Sequence, residues 1–182
     1  MEIRGIDVSR HNGTVDWAKV KAAGARFALI RAGWGGDIAS QDDPTFEANV
    51  AGCEAQGLDW GAYLYSYAMS HADAESEAAH ILRLLKGKNP TYPIIIDMED
   101  TDGWKAARGG NKPQMNTDII KIVCSRLEEA GYYAMWYANL DWCRNYIYTD
   151  QITAYDFWYA RPGISAPDRE CGIWQDLSLI HI

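Results

Sequence analysis

Residues 93–100, Pro-Ile-Ile-Ile-Asp-Met-Glu-Asp, set two carboxyls where they could do acid–base chemistry. Three consecutive isoleucines predict a strand buried on both faces, as in a parallel sheet covered by helices. Side chains alternate along a strand, so Asp97 and Glu99 point to one face and Met98 to the other. Their Cα atoms should lie about 6.5 to 7 Å apart. Two carboxyls so placed do not titrate alike, because each charge raises the pKa of the other and burial adds to the shift. One can then stay protonated as a general acid beside an ionised neighbour. Solvated acids capping a strand end are the plain alternative, and the rest of the chain has to decide between the two.

The elements that would position this pair follow a repeated pattern. An Ala-rich amphipathic segment, a glycine and an apolar strand recur three times. Residues 15–23 end at Gly24 and lead into 26–31, residues 44–56 end at Gly57 and lead into 60–67, and residues 117–130 end at Gly131 and lead into 132–137. Glycine suits the position just past a helix because it adopts positive φ without steric cost. A fourth helix is expected over 72–86, before the isoleucine strand. Strand–helix–strand alternation implies parallel strands with right-handed crossovers. With residues 5–8 the count reaches five strands, and two more apolar segments, 155–160 and 172–175, follow. The gap 161–171 holds two prolines and leaves no room for a helix. The prediction is an α/β fold, a β/α barrel regular in its first half and helix-poor in its last.

Reactive side chains of parallel barrels gather at the C-terminal ends of the strands. Here that rule brings together Asp7, Arg31, Tyr65, Tyr67, Asp97, Glu99, Tyr137, Asn139, Trp158, Arg161, Trp174 and Gln175. Acids, an arginine and aromatics converging on one mouth favour the catalytic reading of the pair.

The 182 residues suit one well-buried domain, and a net charge of −8 argues against nucleic acid, which needs clustered Lys and Arg. No apolar run reaches the roughly 18 residues of a membrane helix, so no membrane insertion is expected. Residues 1–7 pass straight into a strand pattern, and no signal peptide is read there. Eight Trp and eleven Tyr against three Phe supply flat apolar faces with polar handles, which suit a sugar groove. Cys53, Cys124, Cys143 and Cys171 form no C-x-x-C pair and read as free thiols, and no metal or other cofactor is expected. The four histidines form no cluster and read as loop and helix-surface residues. Asp43 reads as a helix N-cap, with Pro44 at the first helical position.

The opening Gly5-Ile6-Asp7-Val8-Ser9 with Val15-Asp16-Trp17 resembles that of the Chalaropsis-type lysozymes, family 25 of the glycoside hydrolases. Later segments resemble the same family in the same order: Asp43-Pro44-Thr45-Phe46, Gly61-Ala62-Tyr63-Leu64-Tyr65, Ile96-Asp97-Met98-Glu99, Tyr137-Ala138-Asn139, Phe157-Trp158-Tyr159-Ala160 and Gly172-Ile173-Trp174-Gln175. The resemblance implies an irregular, flattened barrel of five helix-linked parallel strands and a helix-poor remainder. It also implies cleavage of the β-1,4 bond between N-acetylmuramic acid and N-acetylglucosamine in peptidoglycan. Glu99 matches the general acid, with Asp97 expected to raise its pKa, and Asp7 matches the acid of strand one. Tyr63, Tyr65, Arg31, Tyr137, Asn139, Trp158 and Trp174 are expected to line the substrate. Only one of Tyr63 and Tyr65 is expected to face the interior, Tyr63 by family position, and Arg31 is expected to pair with Asp7 or Asp97.

The C-terminus departs from the family pattern, since only Leu-Ser-Leu-Ile-His-Ile follows Asp176. Residues 1–176 are expected to form the catalytic domain, and 177–182 a truncated or non-native tail. The open edge so created predicts a monomer that could pair edge to edge as a dimer. A chitinase-like hydrolase is the rival enzyme, though its longer acidic motif is absent, and a non-catalytic wall-binding barrel is the rival of another class. The expected partner is the bacterial peptidoglycan glycan strand, reached through phage lysis or export from a longer precursor.

Overall fold

A computed structural model describes residues 3–177. One curled sheet holds seven strands in chain order: β1 Gly5–Val8, β2 Phe27–Trp34, β3 Asp59–Tyr65, β4 Ile94–Asp97, β5 Ala134–Asn139, β6 Asp156–Ala160 and β7 Ile173–Gln175. Every neighbouring pair is parallel. Helices α1 Trp17–Ala22, α2 Phe46–Ala55, α3 His71–Leu85 and α4 Pro113–Glu129 link the first five strands, and a short α5, Leu140–Asn145, follows β5. The α/β barrel architecture predicted from the repeat is therefore the one observed, helix-poor end included. Residues 178–182, most of the expected tail, lie outside the described residues.

Two apolar layers follow from strand alternation. Ile94, Ile96 and Met98 pack outward against the helices, while Ile95 joins Phe27, Leu29, Tyr63, Met135, Tyr137 and Trp158 inside the curl. Phe27 stacks on Tyr92 at 4.3 Å and closes the floor of the barrel. A Cβ at residue 5 would stand 2.3 Å from that Phe27 ring, so only glycine lets β1 approach it. Three of the four free cysteines (Cys53, Cys124 and Cys143) are buried.

Where elements differ from expectation, polar residues hid them. α4 starts at Pro113 rather than near 117, because its buried first turns carry Asn116 and Thr117, not apolar residues. Asn116 Nδ2 donates to the Tyr146 carbonyl at 3.0 Å and Thr117 Oγ1 to the Pro113 carbonyl at 2.7 Å. α5 is too short to show a periodicity. Asp43 is not a helix cap; α2 begins at Phe46 after Thr45, and the buried Asp43 carboxylate instead ties β2 to the turns around it. His80 is fully buried, not on a surface, with its ring nitrogens against the Gly35 carbonyl at 2.9 Å and Asp42 at 2.8 Å.

Behind the strand ends lies a buried charge network. Glu77 of α3 accepts from Ser66 Oγ at 2.8 Å and from the Tyr67 amide at 2.7 Å, and Lys105 Nζ donates to Ser66 Oγ at 3.3 Å. Burial pushes the Glu77 pKa up to about 7 against the attraction of Lys105, and pulls that of Lys105 down. Glu77→Gln would strip the buried ammonium of a counter-charge. Measured by urea unfolding near pH 8, it is expected to destabilise the fold by about 3 kcal/mol. A loss below about 1 kcal/mol would show that Asp100 and Asp102 neutralise Lys105 unaided.

Candidate active site

The C-terminal mouth is built mainly from β1, β3, β4, β5 and β7. Asp97, the last residue of β4, stands in register between Tyr65 on β3 and Tyr137 on β5. It is only 4% exposed, and its Oδ1 has no hydrogen-bond partner among the described residues. Glu99 lies just beyond the strand and is half-buried. Its Oε2 accepts from Thr101 Oγ1 at 2.7 Å. The Thr101 amide in turn donates to the Tyr65 hydroxyl at 3.1 Å.

Asp7 enters from β1. Its Oδ2 accepts from Gln175 Nε2 at 3.0 Å, and Gln175 Oε1 accepts from the Tyr137 hydroxyl at 3.1 Å. This relay crosses the gap between β7 and β1, which share no backbone pairing among the described residues.

The three carboxyls are not equivalent. Burial raises the pKa of each, and at Asp97 the positive charges of Lys105 and Arg31 oppose part of that rise. Asp97 lies well above the usual range through burial first and the Glu99 charge second. Glu99 is raised by burial, against its Thr101 hydrogen bond, and then by the charge on Asp7. Asp7 keeps an exposed edge at the mouth; partial desolvation by the surrounding strands raises its pKa, and the Gln175 hydrogen bond offsets part of the rise. The strongest rise falls on Asp97, and the Asp7 charge adds to the rise at both Glu99 and Asp97. The charge found to act on Glu99 is that of Asp7 rather than the expected Asp97, which is the most deeply buried of the three. A neutral Asp97 also fits an oxygen left without a donor.

The structure brings Asp7, Arg31, Tyr63, Tyr65, Asp97, Glu99, Tyr137 and Trp158 to one interior. Both tyrosines of β3 face inward, because residues two apart on a strand share a face. Trp158 is 3% exposed, packed edge-on to Tyr63 at 5.8 Å and tilted against Tyr137 at 4.6 Å, so it supports the mouth from below. Arg31 pairs with neither expected acid. Its Nε donates to Asp43 at 2.8 Å, a partner brought close by the turn after β2.

Two expected residues point elsewhere. Trp174 packs toward the helices, its indole N–H donating to the Arg161 carbonyl at 3.1 Å, while its neighbours Ile173 and Gln175 point inward. Asn139 caps α5, its Oδ1 accepting from the Trp142 amide at 3.0 Å. One mouth residue escaped prediction. The register shifts between Arg31 and Gly33, so Trp34, which alternation would turn outward, lies opposite Tyr65 with Arg31 and Arg10 against its ring. Beyond the strands, the Tyr67 hydroxyl donates to Asp102 at 2.5 Å and its ring meets Trp104 edge-on at 5.1 Å, so the β4–α4 loop forms a further aromatic rim.

The glycosyl hydrolases family 25 model matches residues 6–178. The chain belongs to family 25. Lysozyme M1 of Streptomyces globisporus is 28% identical over 171 residues, covering 91% of this chain and 56% of that protein. The N,O-diacetylmuramidase of Arthroderma benhamiae is 27% identical over 145 residues, covering 77% and 59%. The solved modular autolysin LytC from Streptococcus pneumoniae superposes with a TM-score of 0.80 at 26% identity, covering 95% of this family 25 chain and 42% of LytC. The chain thus spans a little over half the length of the two curated relatives.

Gln175 gives the site a direct test. It stabilises the ionised form of Asp7, so Gln175→Ala should raise the Asp7 pKa. If Asp7 works as an anion, the acid limb of the activity profile moves up by roughly one pH unit, as loss of a charge-assisted hydrogen bond implies. An unmoved acid limb would separate that limb from Asp7.

Proposed function

We propose that this family 25 chain hydrolyses the β-1,4 bond between N-acetylmuramic acid and N-acetylglucosamine in bacterial peptidoglycan. The observation that carries the reading is the graded trio of Asp7, Glu99 and Asp97 at the barrel mouth. Glu99, raised by burial and by the Asp7 charge, donates its proton to the leaving glycosidic oxygen. Asp7, as an anion, stabilises positive charge growing on the sugar ring. Asp97 stays protonated and offers its hydroxyl to a substrate acceptor, the 2-acetamido oxygen being the nearest chemical match. Tyr63, Tyr65 and Tyr137 present ring edges and hydroxyls around the scissile bond.

The enzyme acts on the bacterial cell wall as its substrate surface. No described helix is long and apolar enough to cross a membrane. Reducing-end release from purified peptidoglycan and from chitin separates the readings. Release from peptidoglycan alone is expected. Release from chitin alone would favour a chitinase-like enzyme, and wall binding without release from either would leave a binding barrel.

A further inference from the structure

We infer that the β2 wall of the mouth is a carboxylate subsite that recognises the muramyl half of the substrate. This rests on the muramidase reading and adds how muramyl and glucosaminyl sugars are told apart. Arg31 is 9% exposed, and its Nη2 is buried without a hydrogen-bond partner among the described residues. Asp43 has no capacity left for it. Asp43 Oδ1 already accepts from the Thr45 amide at 2.9 Å and the Thr45 hydroxyl at 2.7 Å. Asp43 Oδ2 accepts from Arg31 Nε at 2.8 Å and the Arg10 amide at 3.0 Å.

The orphan donor belongs to the mouth. Arg31 stands in register with inward-facing Tyr63, and its charge is felt at Tyr63, Tyr67 and Asp97. The Trp34 ring holds the Arg10 guanidinium at 4.2 Å and that of Arg31 at 5.5 Å. Two fixed cations therefore flank one indole, and Asp43 balances one of them. The wall keeps a surplus positive charge and a buried N–H with no protein acceptor among the described residues, and leaving such a donor unmade is costly. An anionic oxygen answers both needs through a charge-assisted hydrogen bond.

The two sugars of the glycan differ in that respect. N-acetylmuramic acid carries a lactyl side chain whose carboxyl is free or extended into an acidic peptide, and N-acetylglucosamine carries none. Arg31 makes the direct contact in this arrangement, and Arg10 supplies the surplus charge.

Binding to the whole chain decides it, followed by NMR titration at low salt with four probes. They are N-acetylmuramic acid, its methyl ester, muramyl dipeptide and N-acetylglucosamine. At least one charged muramyl probe is expected to bind about fivefold or more tightly than the ester and N-acetylglucosamine. Preference for the free acid assigns the site to the lactyl carboxylate, and preference for the dipeptide alone assigns it to the peptide. Arg10→Met, an exposed change that spares the Arg31–Asp43 pair, should cut that advantage to twofold or less, as should high salt. Equal binding of charged and neutral probes, or an advantage untouched by Arg10→Met, would overturn the subsite. Peptidoglycan turnover by the unaltered chain is measured alongside. Turnover with equal probe binding defeats the subsite alone, whereas absence of turnover defeats the muramidase reading itself.

Discussion

Glu99→Gln is expected to lower peptidoglycan turnover at least about a hundredfold while leaving the fold and wall binding intact, since general acids commonly contribute 10²–10⁴-fold. The amide keeps the shape of the side chain and can still meet Thr101, but it has no acidic proton for the leaving oxygen. The side chain lies beyond β4 and is half-buried, so the substitution should not disturb the core. Loss of turnover with a matched melting temperature and undiminished wall binding is the expected result. Turnover within a fewfold of the parent would remove Glu99 from the mechanism.

The second large effect separates the two aspartates. The Asp7 charge raises the pKa of Glu99, so Asp7→Asn should lower it. Glu99 works protonated, and activity is lost as pH rises through its pKa. The alkaline limb should therefore move to lower pH in Asp7→Asn, with a fall in rate of tenfold or more as the anion is lost, a modest share of what charge stabilisation supplies. Asp97→Asn removes a group that is already neutral while Glu99 titrates, so its alkaline limb should stay in place. An amide can still donate a hydrogen bond, and the rate should fall less. pH–rate profiles of the three chains check this. A limb that moves in Asp97→Asn and stays in Asp7→Asn would restore the coupling expected from the strand motif alone.

That change of partner marks where the sequence stops being informative. The run Ile94-Ile95-Ile96 announces a strand buried on both faces, and alternation beyond it correctly sends Asp97 and Glu99 inward and Met98 outward. Burial depth is another matter. Which of two acids lies deeper depends on where the neighbouring strands end, and Tyr65 and Tyr137 flank Asp97 but not Glu99. Parallel topology was legible because each helix–glycine–strand repeat is local. Trp34 was not, because the one-residue register shift in β2 depends on a turn that returns to pair Gly33 with Asp42. Arg31 was misassigned for a related reason: its partner Asp43 lies on that same turn, twelve residues away. Gln175 was placed at the mouth by strand counting, while its bond to Asp7 spans 168 residues and needs the whole sheet to curl.

The strand-end rule carried Trp174 and Asn139 to the mouth, and local geometry moved both away. On a three-residue strand the inward set is fixed by Ile173 and Gln175, which leaves Trp174 to the helix side. Asn139 ends β5 where α5 begins, and its side-chain oxygen answers the free backbone N–H of Trp142 in the first turn of the helix.

The most direct measurement of the central claim is the identity of the new reducing end. Peptidoglycan digested with this chain is reduced with borohydride, hydrolysed, and analysed by mass spectrometry for the two sugar alcohols. Cleavage on the C1 side of N-acetylmuramic acid, with Glu99 protonating the departing oxygen of N-acetylglucosamine, predicts muramitol as the product and its loss in Glu99→Gln. Glucosaminitol in its place would contradict the account.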